Sequence, residues 1–210
     1  MTEAPTSRHR LLAATIDLVR ANGYLATRVD DVCAAAGVTK GSFFHHFATK
    51  DELAVAAAGA WNERAARLFA AAPYLLHPRP LDRLLGYVKY RRQLIAGENR
   101  DFSCYAGTTI QEVHETHPAI REACALAIDT HMQMLRDLID AALAEHPEVE
   151  VDSATLAVHM QAVIQGAFVM AKAQQDRRAA VDCIGHLHRY IELLFAPTRQ
   201  SRGKSRKESK

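Results

Sequence analysis

The chain has 210 residues, 49% of them hydrophobic and 24% charged, with only ten glycines and seven prolines. That composition supports a sizeable core and favours helices, and no segment alternates β-branched residues as a strand would. The formal net charge of +2 is unevenly divided. Residues 1–53 hold six basic and six acidic side chains, residues 54–197 hold fourteen against seventeen, and residues 198–210 hold six against one.

No basic stretch followed by an apolar run opens the chain, and no uninterrupted apolar run of about 18 residues occurs, so a soluble cytoplasmic protein with no membrane partner is expected. Cys33, Cys104, Cys124 and Cys183 are far apart and form no CxxC pair, which predicts separate, reduced thiols. The segment 198–210 has no apolar residue with which to join a core and is expected to be disordered. It serves either as a solubilising extension or as a weak, salt-sensitive attraction to DNA.

In chain order, Leu11, Leu12, Thr15, Leu18 and Val19 recur at helical spacing from Ser7 to about Ala21, and Asn22-Gly23 supplies the stop. Thr27 followed by Asp30 reads as a capping start for a short helix with Val29, Val32, Cys33 and Ala36 on one face, ended by Gly37. Thr39 caps a second short helix, Lys40 to Phe47, in which Phe43 and Phe47 share a face. Thr49 with Glu52 is the strongest capping signal in the chain and opens a helix to about Ala72.

Pro80 suits a first helical position, giving a helix to Ala96 with Gly97 beyond it. Another is expected from Asp101 to Glu115. From Pro118 a long helix carries Ile120, Cys124, Ile128, His131, Leu135, Leu138 and Leu143 on one face, until Pro147 stops it. The last two run from Ser153 to Gln175 and from Arg178 to Phe195. The expected fold is all-α, with about nine helices.

Two short helices joined by Gly37-Val38-Thr39 make a helix-turn-helix, in which the second helix can lie in a major groove while the first braces it. The run from Val29 to Phe47, continued by Ala48-Thr49-Lys50-Asp51-Glu52-Leu53, resembles the N-terminal domain of the TetR family of one-component bacterial regulators. The resemblance spans about residues 7–53 and is specific; beyond it only helix number and length are similar.

It implies a three-helix DNA-binding domain at 1–53 and a helical ligand-binding and dimerisation domain at 54–197, with the basic tail at 198–210. It also implies a double-stranded DNA operator, a small-molecule inducer and a homodimer, with no cofactor. The groove face would be Thr39, Lys40, Gly41, Ser42, Phe44 and His45, with Thr27, Arg28 and Lys50 holding phosphates. Helix N-termini attract phosphate and Lys40 can donate to guanine O6 and N7, which agrees with those roles. The family commonly has tyrosine where this chain has Phe44, so that phosphate hydrogen bond is lost.

Between Val38 and Lys50 there are two lysines and no acid, so a locally basic face is expected in a neutral domain. The resemblance implies dimerisation through the last two helices. Gly166 and Ala167 would permit close approach, and Ile184, Leu187, Ile191 and Leu194 form an apolar stripe that suits either the partner or the monomer core.

The pocket is expected among polar or aromatic residues in otherwise apolar helices: Trp61, Tyr90, Phe102, Cys104, Tyr105, Thr108, Gln111, His131, Met134, Met160 and Phe168. The Cys104-x-x-Gly107-x-x-x-Gln111-Glu112 run is similar to one in family members that respond to electrophiles or small unsaturated compounds, which offers electrophile or redox sensing through Cys104 as an alternative.

No phosphate loop, GxSxG elbow or HExxH helix is present, so no catalytic residue is expected and an enzyme is disfavoured. Only His114 and His117 have helical ligand spacing, and they lack further partners, so no metal site is expected. The function expected is a ligand-responsive regulator, a repressor released from a palindromic operator. A helical dimeric binding protein without DNA activity is the rival class.

Overall fold

Thr6 stops the chain's extended entry by accepting the His9 N–H at 3.3 Å, and the computed structural model, which describes residues 5–196, proceeds from there through ten α-helices. Helix α1, Ser7–Asn22, buries Leu11, Leu12, Ile16 and Val19, and Gly23 ends it at φ +89°, a backbone conformation open to glycine. Helix α2, Val29–Ala36, is closed by Gly37 in the left-handed conformation. Thr39 then caps α3, Lys40–His46, by accepting the Ser42 N–H at 3.1 Å.

Helix α4, Lys50–Ala70, begins with Thr49 accepting the Glu52 N–H at 3.0 Å, while the Glu52 carboxylate reaches back to the Ala48 N–H at 2.8 Å. A 3-10 turn, Pro73–Leu76, leads to α5, Pro80–Gln93, with proline at its start. Then follow α6, Asn99–Phe102, α7, Tyr105–Val113, α8, Pro118–Ala144, α9, Ser153–Gln174, and α10, Arg178–Leu194.

The helix expected from Asp101 to Glu115 is two helices. Ser103 turns its hydroxyl and its N–H to the Asn99 carbonyl, and the Cys104 sulfur accepts the Gly107 N–H at 3.4 Å, so one helix closes where the next is capped. That break raises the count among the described residues from nine to ten.

Two apolar cores follow. The first gathers Leu11, Val32, Phe43, Phe47 and Leu53, and continues into Tyr105, Val113, Ile120 and Cys124 from α7 and α8. The expected boundary at residue 53 therefore falls inside α4 and inside a shared core. The second core packs Leu84 and Tyr87 of α5, Leu135 and Ile139 of α8, Met160 and Ile164 of α9, and Ile184, Leu187 and Ile191 of α10.

Helix α9 is long and apolar enough to pass for a membrane span. Its inner face fills the second core, while its outer face carries Val158, Gly166, Val169 and Met170. The basic segment 198–210 lies outside the described residues.

Candidate nucleic-acid interface and ligand cavity

Helix α3 is held from beneath by Phe43, fully buried, and by Phe47 beyond its end. That anchorage turns Thr39, Lys40, Gly41, Phe44 and His45 outward, with Ser42 half-buried. Phe44 is 57% exposed although its neighbour Phe43 is not exposed at all. A Cβ on Gly41 would meet nothing closer than the Thr39 hydroxyl at 3.8 Å, so the surface there is open to a close approach.

The electrostatics differ from the sequence expectation. Lys40 is paired at 2.7 Å with Asp30, which projects from α2, and this hydrogen bond raises the lysine pKa above its ordinary value. The face is therefore not freely basic: the acid missing from the segment 38–50 comes from the preceding helix.

Two expected phosphate contacts also change. Thr27 is 3% exposed, its hydroxyl donates to the Gly23 carbonyl at 2.7 Å and its N–H to the Tyr24 carbonyl at 3.2 Å, so neither donor is free. The cap of α2 sits one residue later, where the Arg28 N–H donates to Asp31 at 3.2 Å and the Arg28 side chain stays exposed.

Lys50 is half-buried and donates to the Tyr24 carbonyl at 2.7 Å, with its ammonium 4.0 Å from the Tyr24 ring centroid. Burial lowers its pKa. The Tyr24 hydroxyl donates in turn to Asp51, and the His117 ring stands edge-on to Tyr24 at 5.6 Å. Lys50 thus ties the α1–α2 turn to α4. The same turn is held from α7, where the Glu112 carboxylate accepts the Leu25 N–H at 2.8 Å. The His114 Nε2 lies 3.6 Å from the Glu115 carboxylate, and no group of three metal-ligating side chains occurs among the described residues.

Behind this tie lies a cavity of about 580 Å³ between α1, α4, α5, α6, α7, α8 and α9. Of the residues expected to form the pocket, Trp61, Phe102, Cys104, His131 and Phe168 line it. Met134 lines a neighbouring cavity of about 390 Å³, which His131 shares. Thr108 and Gln111 border a smaller cleft with Cys104 and Lys172, the lysine donating to the Thr108 hydroxyl at 3.2 Å.

Three expectations fail. Tyr105 is fully buried and donates to the Ala54 carbonyl at 3.0 Å, Met160 is fully buried in the second core, and Tyr90 packs against Phe69 and Tyr74. Each sits at helical spacing among apolar neighbours, the pattern of core residues as much as of a pocket.

Sequence reasoning missed the polar part of the wall: Arg20, Arg64, Arg91, Gln161 and Gln165. Arg20 is 5% exposed, and burial is the main cause of its lowered pKa. Its Nε donates to the Ser103 carbonyl at 2.7 Å and its Nη2 to the Asp101 carbonyl. His131 shares a 2.9 Å hydrogen bond with the Tyr87 hydroxyl, and burial, reinforced by Arg91, pushes its pKa down to about 3, so the ring is neutral. Cations on otherwise apolar helices read as solvent-facing, which hid them.

The stripe Ile184, Leu187 and Ile191 is buried in the second core, and Leu194 packs partly against it. The outward apolar groups of α9 and α10 are instead Val158, Val169, Met170, Tyr190 and Leu193. A Cβ on Gly166 would meet nothing within 4 Å.

Residues 11–57 match the family model for bacterial regulatory proteins of the tetR family, and residues 80–187 match that for the tetracyclin repressor-like C-terminal domain. The transcriptional regulator AcuR of Cereibacter sphaeroides is 27% identical over 142 residues, covering 68% of this chain and 65% of that protein. The HTH-type transcriptional regulator CymR of Pseudomonas putida is 43% identical over 53 residues, 25% of this chain and 26% of its own. In both cases the chain spans less than two thirds of the relative's length.

A TetR-family regulator from Agrobacterium tumefaciens has the same fold, with a TM-score of 0.78 at 18% identity, covering 88% of this chain and 97% of its own. Since the C-terminal model alone covers half of the sequence and the N-terminal model covers the helix-turn-helix, this chain belongs to the TetR family of bacterial regulatory proteins.

Proposed function

We propose that the protein is a cytoplasmic, non-enzymatic transcription regulator that represses from a palindromic DNA site as a homodimer and is released by a small molecule in the 580 Å³ cavity. The observation that carries this reading is the outward face of α3, where an exposed Phe44 stands beside buried Phe43. In the reading, Lys40, Ser42 and His45 meet base edges, Phe44 packs on a sugar or a thymine methyl, and Thr39 and Arg28 hold phosphates. Lys40 exchanges Asp30 for the groove when DNA arrives.

The dimer forms through the outer faces of α9 and α10, where apolar side chains surround the open Gly166. Two recognition helices then stand about 34 Å apart, one turn of DNA. Helix α4 carries Lys50 at one end and cavity-lining Trp61 and Phe69 at the other, so a ligand preferring another packing of α4 changes the spacing of the pair.

Selection from a randomised duplex library, followed by fluorescence anisotropy, tests this directly. The expected result is a palindrome bound by the dimer. Recovery of no preferred sequence overturns the reading.

A second reading assigns the signal to Cys104. Its sulfur caps α7, and the residue lines the cavity together with Arg20 and the smaller cleft together with Lys172. Under this reading Cys104→Ser still binds DNA but no longer leaves it on treatment with N-ethylmaleimide; release equal to that of the unmodified sequence excludes it.

A further inference from the structure

The cavity wall carries an imbalance that folding alone does not require. Four arginines line it, Arg20, Arg64, Arg67 and Arg91, against one acid, Asp101. Arg67 stands 3.6 Å from Glu63, and Arg20 is occupied by the Ser103 and Asp101 carbonyls. The Asp101 carboxylate accepts the Glu98 N–H at 2.8 Å at the start of α6. Among the described residues Arg64 and Arg91 have neither an ion pair nor a side-chain hydrogen bond, and the Arg91 Nε is buried without a partner. Arg64 is exposed, whereas Arg91 is half-buried, and its Nε, out of water with no acceptor, is a group that a partner arriving later can satisfy.

The aromatic groups narrow the partner's charge. Trp61 already carries Arg20 and Arg64 at 5.0 and 6.0 Å from its ring, and Phe69 and Phe168 carry Arg91 at 5.4 and 5.6 Å. Their capacity to hold a cation is in use, and a cationic ligand would meet those guanidinium groups. Gln161, 8% exposed, presents an unpartnered Oε1, and Gln165 an unpartnered Nε2, on the α9 side of the same wall. The remaining lining is apolar, with Leu68, Ile95 and Ile128 among it.

We propose that this cavity binds an amphipathic organic anion, its charged head neutralising Arg91 and its hydrocarbon or aryl body lying against Phe69, Phe168 and Ile128. The proposal rests on the cavity being the ligand site of the regulator. The anionic head makes charge-assisted hydrogen bonds with the guanidinium, the kind of contact that arginine's fork favours. The field of Arg91 also helps to keep His131 neutral, so the imidazole offers the ligand no opposing charge requirement.

Isothermal titration of the full chain without DNA tests this, which keeps its failure separate from any failure of DNA binding. The probes are octanoate and phenylacetate, their amides, octylamine and phenethylamine, and phenyl phosphate. The carboxylates are expected to bind at least about tenfold more tightly than the amides, and the amines more weakly still. Arg91→Gln is expected to bring acid and amide within about threefold of each other, and Arg91→Lys to keep part of the preference, with a thermal melt confirming folding.

Phenyl phosphate binding more tightly than phenylacetate assigns the head to a phosphate ester, and the reverse assigns it to a carboxylate; both support an anion. Amides or amines binding as tightly as the acids overturn the proposal. So does the absence of binding by every anion at millimolar concentration. If Arg91→Gln does not fold, the charge preference of the unmodified chain across the same series decides.

Discussion

The Nε of Arg20, on the first helix, donates to the carbonyl oxygen of Ser103, at the junction of α6 and α7, across 2.7 Å. Ser103 is 1% exposed and Arg20 5%, so the bond is out of water. Arg20 is at once part of the DNA-binding half and part of the cavity wall. A ligand that displaces the α6–α7 junction must move α1 or break this bond.

Arg20→Met keeps much of the side chain's length but removes its donors, leaving the Ser103 carbonyl buried and unpaired. Losing charged hydrogen bonds of this kind costs roughly 2–3 kcal/mol. Urea denaturation is expected to show a loss of that order. A change below about 0.5 kcal/mol would mean that the carbonyls find other donors and that the tie is dispensable.

Asp30 and Lys40 give a prediction in which stability and binding separate. Their side chains are 69% and 59% exposed, so the pair adds little to stability. Asp30→Asn releases Lys40 and is expected to tighten operator binding severalfold at unchanged melting temperature. Lys40→Ala is expected to weaken specific binding by about tenfold or more, the size of one lost base contact. Anisotropy titrations at one salt concentration measure both, and equal affinities for all three proteins would remove Lys40 from the interface.

His131 supplies a pH dependence. Its folded pKa of about 3 lies below the ordinary value of 6.5, because burial, and then Arg91, oppose the charged ring. Between those two values the unfolded chain binds a proton that the folded chain refuses, so stability falls as pH falls through this window. The slope from this group is at most roughly 1.4 kcal/mol per pH unit. His131→Gln should flatten the decline between pH 6.5 and 4.5 in urea titrations; an identical slope in both proteins would show that His131 becomes charged in the folded state.

How far the sequence carried the structure depended on whether a residue had one environment open to it or two. Thr39, Thr49, Gly23 and Gly37 each mark a helix end by a backbone requirement, and all four stand where their chemistry implies. Phe43 and Phe47, four apart and apolar, lie under α3 as helical spacing implies.

The break at Ser103-Cys104 was invisible because apolar spacing continues through it; only the bonds to the Asn99 carbonyl and from the Gly107 N–H create it. Apolar periodicity identifies a stripe without naming what covers it, so the stripe of Ile184, Leu187 and Ile191 turned out to be core. Arg20 was missed because its partners, the Ser103 and Asp101 carbonyls, are distant in sequence, and Arg91 because nothing on its own helix marks it as facing a cavity.

With the α10 stripe used up by the core, the last prediction concerns the opposite face. If the outward apolar groups of α9 and α10 form the dimer, Val169→Glu and Leu193→Glu should separate the protomers without unfolding them. Val169 is 45% exposed and Leu193 69%, so a glutamate at either place remains hydrated in the single chain. In a two-fold interface each substitution occurs twice, and each carboxylate must leave water unpaired.

Light scattering at micromolar concentration should then report a monomer with unchanged helical content, and specific DNA binding should fall because two half-sites are no longer read together. Ile184→Glu is the contrasting case: a charge at a fully buried core position should cost folding itself. A Val169→Glu protein that stays dimeric would place the interface elsewhere, since no exposed glutamate at the centre of an apolar contact could leave it intact.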